Sequence, residues 1–265
     1  MRTAESLRRS AIESNLREAF SVYSRACGDK VKRLPGVTCV RHPSKVEGFN
    51  MAFLTAPAGV GPRALRGVQE FYREVGAEWC YVVPSRLAHL YGRTAGRVRI
   101  SARRPVPEMV LSTEGVSIPS PPKGLDIRPV RTLGGLRTWA RTGSLGFGDR
   151  TNELRFMVNG RSLEEDGFIC HIGWASGKPV STSASYTSDG VTVIMGVSTI
   201  PGARGRGFGE AMTWAAVRDG IERRSGTISL QASPVGFPVY HRMGFRHVFD
   251  FEEWVVPRGA PDARE

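Results

Sequence analysis

The stretch that decides the fold is residues 191–212, VTVIMGVSTIPGARGRGFGEAM. A strand-like run leads into Pro201, which cannot donate a hydrogen bond to a sheet ladder. The glycines that follow let the backbone turn so that several N–H groups point at one place, and the helix after them contributes its positive N-terminal end. Arg204 and Arg206 add positive charge that suits phosphate oxygens. The stretch therefore predicts an anion cradle built largely of backbone.

This glycine loop has three other possible interpretations. A dinucleotide fingerprint needs GxGxxG, but Glu210 stands where the third glycine would be. A P-loop needs GxxxxGK[ST], and neither a lysine-serine nor a lysine-threonine pair follows the glycines. A purely structural glycine turn stays open on the loop alone.

The elements around the loop have a definite order. Hydrophobic periodicity predicts strands that are separated by turn residues at Ser176-Gly177 and Asp189-Gly190, which favour hairpins. The predicted order is a strand at 125–130, a helical region at 136–163 interrupted near 143–148, strands at 167–174, 179–186 and 191–199, the glycine loop, a helix to about 221, a strand at 228–232, a short helix near 239 and a strand at 247–256.

Two motifs in this order resemble the general N-acetyltransferase (GNAT) superfamily. The pattern Arg204-x-x-Gly207-x-Gly209 fits its [Q/R]xxGx[G/A] signature, which follows the fourth strand and begins the third helix. A later strand and a helix that carries Tyr240, followed by Gly-Phe at 244–245, fit a second family element. The resemblance covers residues 124–257.

The resemblance implies an α+β fold, with a central, mixed and mostly antiparallel sheet flanked by helices. It also implies an acyl-CoA-dependent N-acyltransferase that uses acetyl-CoA as donor, with no metal. Residues carried over to cofactor binding lie at the end of the fourth strand, in the loop and after the fifth strand. They are Val197, Ser198, Thr199, Arg204, Gly205, Arg206, Gly207, Phe208, Gly209, Glu210 and Ser233.

Tyr240 takes the family's catalytic position, where a phenol protonates the departing thiolate. The general base is left unassigned, because Ser229 and Gln231 occupy the fifth strand, where the family usually has an acid. His171 is a candidate base, and a half-buried strand histidine is the alternative. The asparagine that the family often has near Ser233 is missing.

The segment 112–124, STEGVSIPSPPKG, predicts a linker, because its prolines disfavour both helix and central strand. It separates an N-terminal domain at 1–111 from a catalytic domain at 125–257, with a flexible tail at 258–265. The N-terminal half resembles a degenerate GNAT domain in a protein of two similar halves, since its loop at 59–63 lacks the signature. An unrelated α+β domain is the alternative.

The amino-acid composition indicates which ligands and which cellular location to expect. The net charge of +12 suits a polyanionic donor, and the spread of the arginines without a DNA- or RNA-binding motif disfavours nucleic acid. The four cysteines form no CxxC pair, and no apolar run approaches the ~20 residues of a membrane span, so we expect a cytoplasmic protein.

The sequence identifies neither the acceptor amine nor the oligomeric state. The expected acceptor is a small-molecule or peptide amine. A homodimer stays open, and so does a non-catalytic acyl-CoA-binding or regulatory role on the same fold.

Overall fold

The computed structural model describes residues 4–26, 30–42, 47–55, 60–73, 76, 78–95, 99–149 and 153–258. The chain divides into two compact units, each made of two pieces of sequence. The major unit holds Met1–Cys27 and Met109–His247, and the minor unit holds Gly28–Glu108 and Val248–Glu265.

The helices and strands alternate along the whole chain, with short 3-10 turns between some of them. In chain order they are α1 (Ala4–Ala26), β1 (Lys30–Leu34), β2 (Val37–Arg41), β3 (Met51–Leu54), α2 (Pro62–Arg73), β4 (Trp79–Pro84), α3 (Ala88–Ala95), β5 (Ala102–Ser112), β6 (Leu125–Pro129), α4 (Leu133–Gly146), β7 (Phe168–Ala175), β8 (Lys178–Ser188), β9 (Val191–Thr199), α5 (Phe208–Glu222), β10 (Thr227–Gln231), α6 (Phe237–Arg242) and β11 (Arg246–Val256).

The sheet of the major unit follows the order β5-β10-β9-β8-β7-β6, and β5 belongs to this unit from Met109 onward. Strands β6 to β9 pair antiparallel, and β10 pairs parallel to β9 after the crossover helix α5. The two hairpin turns have positive φ at Ser176 and Gly177 and again at Asp189 and Gly190, as the turn residues predict. A mixed, mostly antiparallel sheet flanked by helices confirms the predicted fold class.

Helix α5 is held to this sheet by an apolar core. Ala216 and Val217 of the helix are fully buried with Ile194 of β9 and with Ile228 and Leu230 of β10. Burial of such side chains, at roughly 1.5–3 kcal/mol each, outweighs most single polar contacts. The start of α5, and with it the glycine loop, is therefore fixed against the end of β9.

The N-terminal helix α1 belongs to the major unit, which differs from the predicted domain at 1–111. Asn15 Nδ2 donates hydrogen bonds to Ser188 Oγ (2.9 Å) and to the carbonyl oxygen of Val191 (3.1 Å). The ring of Tyr23 packs on Phe168, with centroids 5.1 Å apart. The helical period of α1 shows that one stripe is buried but not which element buries it.

The C-terminal strand β11 also departs from the predicted domain boundaries. Its residues from Val248 onward belong to the minor unit rather than to a domain at 125–257. It pairs antiparallel with β4, from Phe251–Pro84 to Val256–Trp79. Residues 113–124 carry neither helix nor strand, in the place of the predicted linker. Of the predicted tail, residues 259–265 lie outside the described part of the chain.

The minor unit has the sheet order β1-β2-β3-β4-β11, in which only β3 and β4 are parallel. Tyr72 of α2 stacks on Trp79 of β4, with ring centroids 4.5 Å apart. Among the described residues of either unit, no helix is long and apolar enough to cross a membrane.

Candidate functional site

Strand β9 extends beyond its parallel neighbour. Its pairing with β10 ends at Ile194–Leu230, although β9 itself continues to Thr199. Beyond that point β10 offers no partner to the backbone of β9. Backbone groups on this edge are therefore open to a ligand, except that the Thr199 carbonyl oxygen accepts a hydrogen bond from Arg204.

A β-bulge turns the same part of β9. The register with β8 shifts so that two residues of β9, Gly196 and Val197, face one residue of β8. Gly196 has a φ of 63°, and a Cβ there would lie 2.9 Å from the ring of Trp139. Thr182 Oγ1 donates to the Gly196 carbonyl oxygen (2.8 Å) and lies 2.8 Å from Ser198 Oγ. These contacts fix the bulge, which re-aims the backbone of the strand end.

The glycine loop leads from β9 into α5. Gly205 and Gly207 have φ angles of 75° and 74°, which side chains strongly disfavour, and Gly207 is the N-cap of the helix. The first N–H groups of a helix have no partner within it, and they carry the positive end of the helix dipole. The loop therefore has the geometry of the predicted anion cradle.

The two loop arginines make different contacts. Arg204 donates from Nε to the Thr199 carbonyl oxygen (3.1 Å) and from Nη2 to the Gly146 carbonyl oxygen (2.8 Å). This guanidinium joins the end of β9 to the end of α4 and so braces the loop. Arg206 lies over the ring of Phe208, 4.6 Å from its centroid, and it is exposed.

A cavity of about 510 Å³ brings these features together. Of the residues predicted from sequence, all except Arg206 line it. They are Val197, Ser198, Thr199, Arg204, Gly205, Gly207, Phe208, Gly209, Glu210, Ser233 and Tyr240.

Sequence reasoning missed seven further residues of this cavity, two of which, Ala203 and Gly236, flank predicted residues along the chain. Arg242 and Val239 lie on α6, next to Tyr240 along the helix. Phe147 and Val235 are large exposed apolar side chains, 59% and 82% exposed. Gly146 completes the set, and a Cβ there would contact the Ser198 side chain and approach the Thr199 nitrogen to 3.1 Å. From sequence, the Gly-Phe-Gly run at 146–148 indicates only a helix interruption.

Tyr240 is held firmly at the wall of the cavity. Burial raises the pKa of its phenol to about 12, although a hydrogen bond with Thr213 acts in the opposite direction. Its ring lies under Gly236, where a Cβ would be only 2.8 Å from Cε2. The phenol therefore keeps its proton at neutral pH and has a fixed position.

Ser233 also lines the cavity, but its hydroxyl already has a partner. Ser233 Oγ accepts a hydrogen bond from the Gly236 backbone nitrogen (3.1 Å). The serine thus holds the turn that enters α6, in the region where the resemblance lacks an asparagine.

His171 lies apart from Tyr240. It is 8% exposed, and its Nε2 is 3.1 Å and 2.9 Å from Oδ1 and Oδ2 of Asp219 on α5. It lines a different cavity, beside residues 118–122. The structure therefore does not bring this candidate base together with the predicted acid. No group of three or more possible metal ligands occurs within the residues described.

Solved structures match this chain, whereas sequence comparisons do not. Neither protein-family models nor curated proteins give a match. A GCN5-related N-acetyltransferase from Kribbella flavida superposes with a TM-score of 0.69 at 17% identity, over 94% of this chain and 95% of that one. One from Sphaerobacter thermophilus gives 0.62 at 14% identity, over 86% and 78%.

A tandem GNAT protein of the clavulanic acid biosynthesis pathway gives a TM-score of 0.57 at 12% identity, over 86% of this chain and 80% of that one. At such identities the likeness concerns the fold. The open strand edge, the glycine loop and the order of elements agree with it, and the chain therefore has the fold of the GCN5-related N-acetyltransferases.

Proposed function

We propose that the chain is an N-acetyltransferase that moves the acetyl group of acetyl-CoA to a primary amine of a small molecule or peptide. One observation carries this proposal. The free edge of β9, the N-terminus of α5 and the phenol of Tyr240 all line one cavity. A thioester with a long amide-bearing arm and a diphosphate needs these three features in that combination.

The residues present fit such a donor. The backbone of Val197, Ser198 and Thr199 can pair with the amides of the pantetheine arm, as an added strand pairs with a sheet edge. The N–H groups from Gly205 to Glu210 would hold the diphosphate, helped by the dipole of α5. Arg204 holds this loop in place through its two carbonyl contacts.

The reaction is a direct transfer. The nitrogen of the neutral amine attacks the acetyl carbonyl carbon, the C–S bond breaks, and the sulfur takes the phenol proton of Tyr240. The amine's surplus proton passes through water to the Tyr240 phenolate and restores the phenol. A backbone N–H near the bulge of β9 would stabilise the negative charge on the carbonyl oxygen. The ordinary pKa of a thiol is about 8.5. Because desolvation disfavours both anions, it raises the pKa of the thiol as well as the pKa of the phenol.

The rival function is a non-catalytic acyl-CoA-binding protein on the same fold. The specific observation in its favour is the composition of β10, where the fully buried Ser229 and the partly buried Gln231 stand in place of an acidic base. The intact Tyr240 site favours catalysis, since a binding protein has no need of a fixed acid.

Two assays separate these functions. Thiol release from acetyl-CoA, measured with a panel of small amines and peptide amines, should show acceptor-dependent turnover. Calorimetric titration with coenzyme A reports binding independently of chemistry. Binding without turnover on any amine would favour the rival, and no binding at all would contradict both.

A further inference from the structure

Thr213 of α5 lies next to the phenol of Tyr240, although it does not itself line the cavity at the end of β9. Its side chain is fully buried and hydrogen-bonds to the phenol. In the part of the chain that the structure describes, the phenol has no other hydrogen-bond partner. Burial raises the pKa of the phenol, and this hydrogen bond is the influence that lowers it. Thr213 is therefore the polar side chain that acts most directly on the proposed acid.

The hydroxyl of Thr213 also has an acceptor within its own helix. Thr213 Oγ1 donates to the carbonyl oxygen of Gly209, one turn earlier in α5, at a distance of 2.9 Å. The α-helical pattern gives the same carbonyl oxygen a second donor, the backbone N–H of Thr213. Gly209 therefore keeps one hydrogen bond if the hydroxyl turns away. The single hydroxyl proton of Thr213 thus has two acceptors within reach, the Gly209 carbonyl oxygen and the phenol oxygen of Tyr240.

Proton transfer from Tyr240 changes which of these acceptors is stronger. While the phenol carries its proton, both acceptors are neutral. Once the leaving sulfur has taken that proton, the phenolate carries a full negative charge in surroundings where burial disfavours an anion. A hydrogen bond to an ionised acceptor is roughly twice as strong as one between neutral groups. The hydroxyl of Thr213 is therefore drawn from Gly209 to the phenolate as the phenolate forms.

We propose that Thr213 is a positioning residue for the acetyl transfer, which fixes the phenol oxygen of Tyr240 and donates a hydrogen bond to the phenolate after proton transfer. This inference rests on the proposed function and adds the residue through which α5 acts on the acid. The O–H bond of Thr213 stays intact, and only its hydrogen-bond acceptor changes. When the surplus proton of the amine has restored the phenol, the hydroxyl returns to Gly209.

A packing role is the alternative for a buried threonine with this helical hydrogen bond. Two substitutions separate the roles, because Thr213→Val keeps the shape and removes the hydroxyl, whereas Thr213→Ser keeps the hydroxyl and removes the methyl group. If the hydroxyl acts on the phenolate, Thr213→Val should lower kcat about tenfold, and Thr213→Ser should keep kcat within about threefold of the parent. A packing role predicts the reverse order.

Dependence on Tyr240 is the readout that a packing role would not produce. In a Tyr240→Phe chain, Thr213→Val should lower kcat no further, because no phenolate is left to stabilise. Coenzyme A affinity, measured by calorimetry, should stay within about twofold of the parent in each variant. Thr138→Val is the matched control and should leave kcat unchanged, because Thr138 Oγ1 makes the same kind of bond to the Gly134 carbonyl oxygen (3.0 Å) on α4.

Nuclear magnetic resonance tests the hydrogen bond without turnover. The full chain is isotope-labelled at the Cζ carbons of its six tyrosines, and the Tyr240 resonance is identified by its loss in Tyr240→Phe. Thr213→Val should shift this resonance, and Thr213→Ser should leave it near its parental position. An unshifted resonance in Thr213→Val would overturn the hydrogen bond, even in an active enzyme.

The kinetic outcomes decide the role of that hydrogen bond. A parental kcat in Thr213→Val would overturn the positioning role, and so would an equal loss of kcat with and without the Tyr240 phenol. A shifted resonance in a chain that turns over no amine would instead contradict the proposed function, and the positioning role with it.

Discussion

The two units build the same strand–helix–strand crossover and use it differently. In the major unit, β9 and β10 are parallel and joined by α5. In the minor unit, β3 and β4 are parallel and joined by α2. Strand β9 contains a bulge, and its residues 195–199 extend past its last pair with β10, but β3 extends past its last pair with β4 by Leu54 alone. A long open strand edge therefore exists in the major unit, whereas β3 leaves a single residue beyond its parallel partner.

The helix after each crossover shows the same contrast. Helix α6 of the major unit has no fully buried residue, and its Tyr240 and Arg242 line the cavity of about 510 Å³ at the end of β9. In the minor unit, Leu87 and Tyr91 at the corresponding place are only 8% and 2% exposed, within the hydrophobic core. Both helices contact a hydrophobic core, but the helix beside the donor site is only partly buried in it. We propose that the minor unit is a degenerate copy without a donor site, although residues 56–59 of its loop lie outside the described part.

We expect the largest effect on coenzyme A affinity from a substitution in the glycine loop before α5, compared with the same substitution before α2. Gly207→Asp places a carboxylate and a strained left-handed backbone in the anion cradle, so coenzyme A affinity should fall by more than about 100-fold. Gly61→Asp is the matched change before α2, where a Cβ meets nothing within 4 Å. Calorimetry should show unchanged affinity for the Gly61 variant. Normal titration of the Gly207 variant would contradict the cradle.

Removal of the predicted acid should act on turnover alone. Tyr240→Phe should lower kcat by about 100-fold, the usual scale of general acid catalysis, with coenzyme A affinity within about twofold of the parent. Steady-state thiol release and calorimetry measure the two quantities. A variant with unchanged kcat would exclude Tyr240 from the mechanism.

The close approach of α4 to β9 gives a smaller effect. Gly146→Ala places a methyl group against the Ser198 side chain and should weaken coenzyme A about fivefold to tenfold by displacing the end of β9. Ser198→Gly in the same chain makes room for that methyl and should restore part of the affinity. A double variant as weak as Gly146→Ala would show that the displacement of β9 is not the cause.

A change in the minor unit should affect stability without affecting chemistry. The Tyr72 hydroxyl lies 2.9 Å from the Val40 carbonyl oxygen and 2.6 Å from that of Met51. Tyr72→Phe leaves these buried acceptors short of a donor and should lower the free energy of unfolding by about 1–3 kcal/mol. Denaturant unfolding measures this loss. A fall in kcat at temperatures where the variant stays folded would mean that the minor unit takes part in catalysis.

The smallest effect concerns pH. Since burial raises the pKa of Tyr240 to about 12, the phenol keeps its proton at every pH well below that value. Turnover should therefore rise between pH 7 and 9 as the acceptor amine loses its proton, without a decline due to the acid. A decline in kcat below pH 9 that is absent in Tyr240→Phe would contradict the raised pKa.

The predicted site residues come from two motifs that are each short in sequence, and the structure places all of them except Arg206 around one cavity. The resemblance to a family supplied the loop residues and Tyr240, and the turn residues predicted the hairpins. Phe147 and Gly146 were missed, because they reach the site only through packing of α4 against Ser198, which no local pattern reveals. The sequence also did not predict that Arg204 joins the loop to α4, because its hydrogen-bond partner Gly146 is distant along the chain.

The boundaries of the two units needed the structure for a related reason. An amphipathic helix such as α1 or a strand such as β11 shows that it has a buried face, but not which sheet it joins. Residues 113–124 of the predicted break have neither helix nor strand, but α1 belongs to the major unit and most of β11 to the minor unit. Hydrophobic periodicity does not predict which distant elements pair with each other.

The most direct test of the central claim is the stoichiometry of coenzyme A binding by calorimetry on the full chain. One open strand edge and one glycine cradle predict one molecule per chain, bound in the major unit and lost in Gly207→Asp. Two molecules per chain, or one molecule that is lost in Gly61→Asp and retained in Gly207→Asp, would contradict the account.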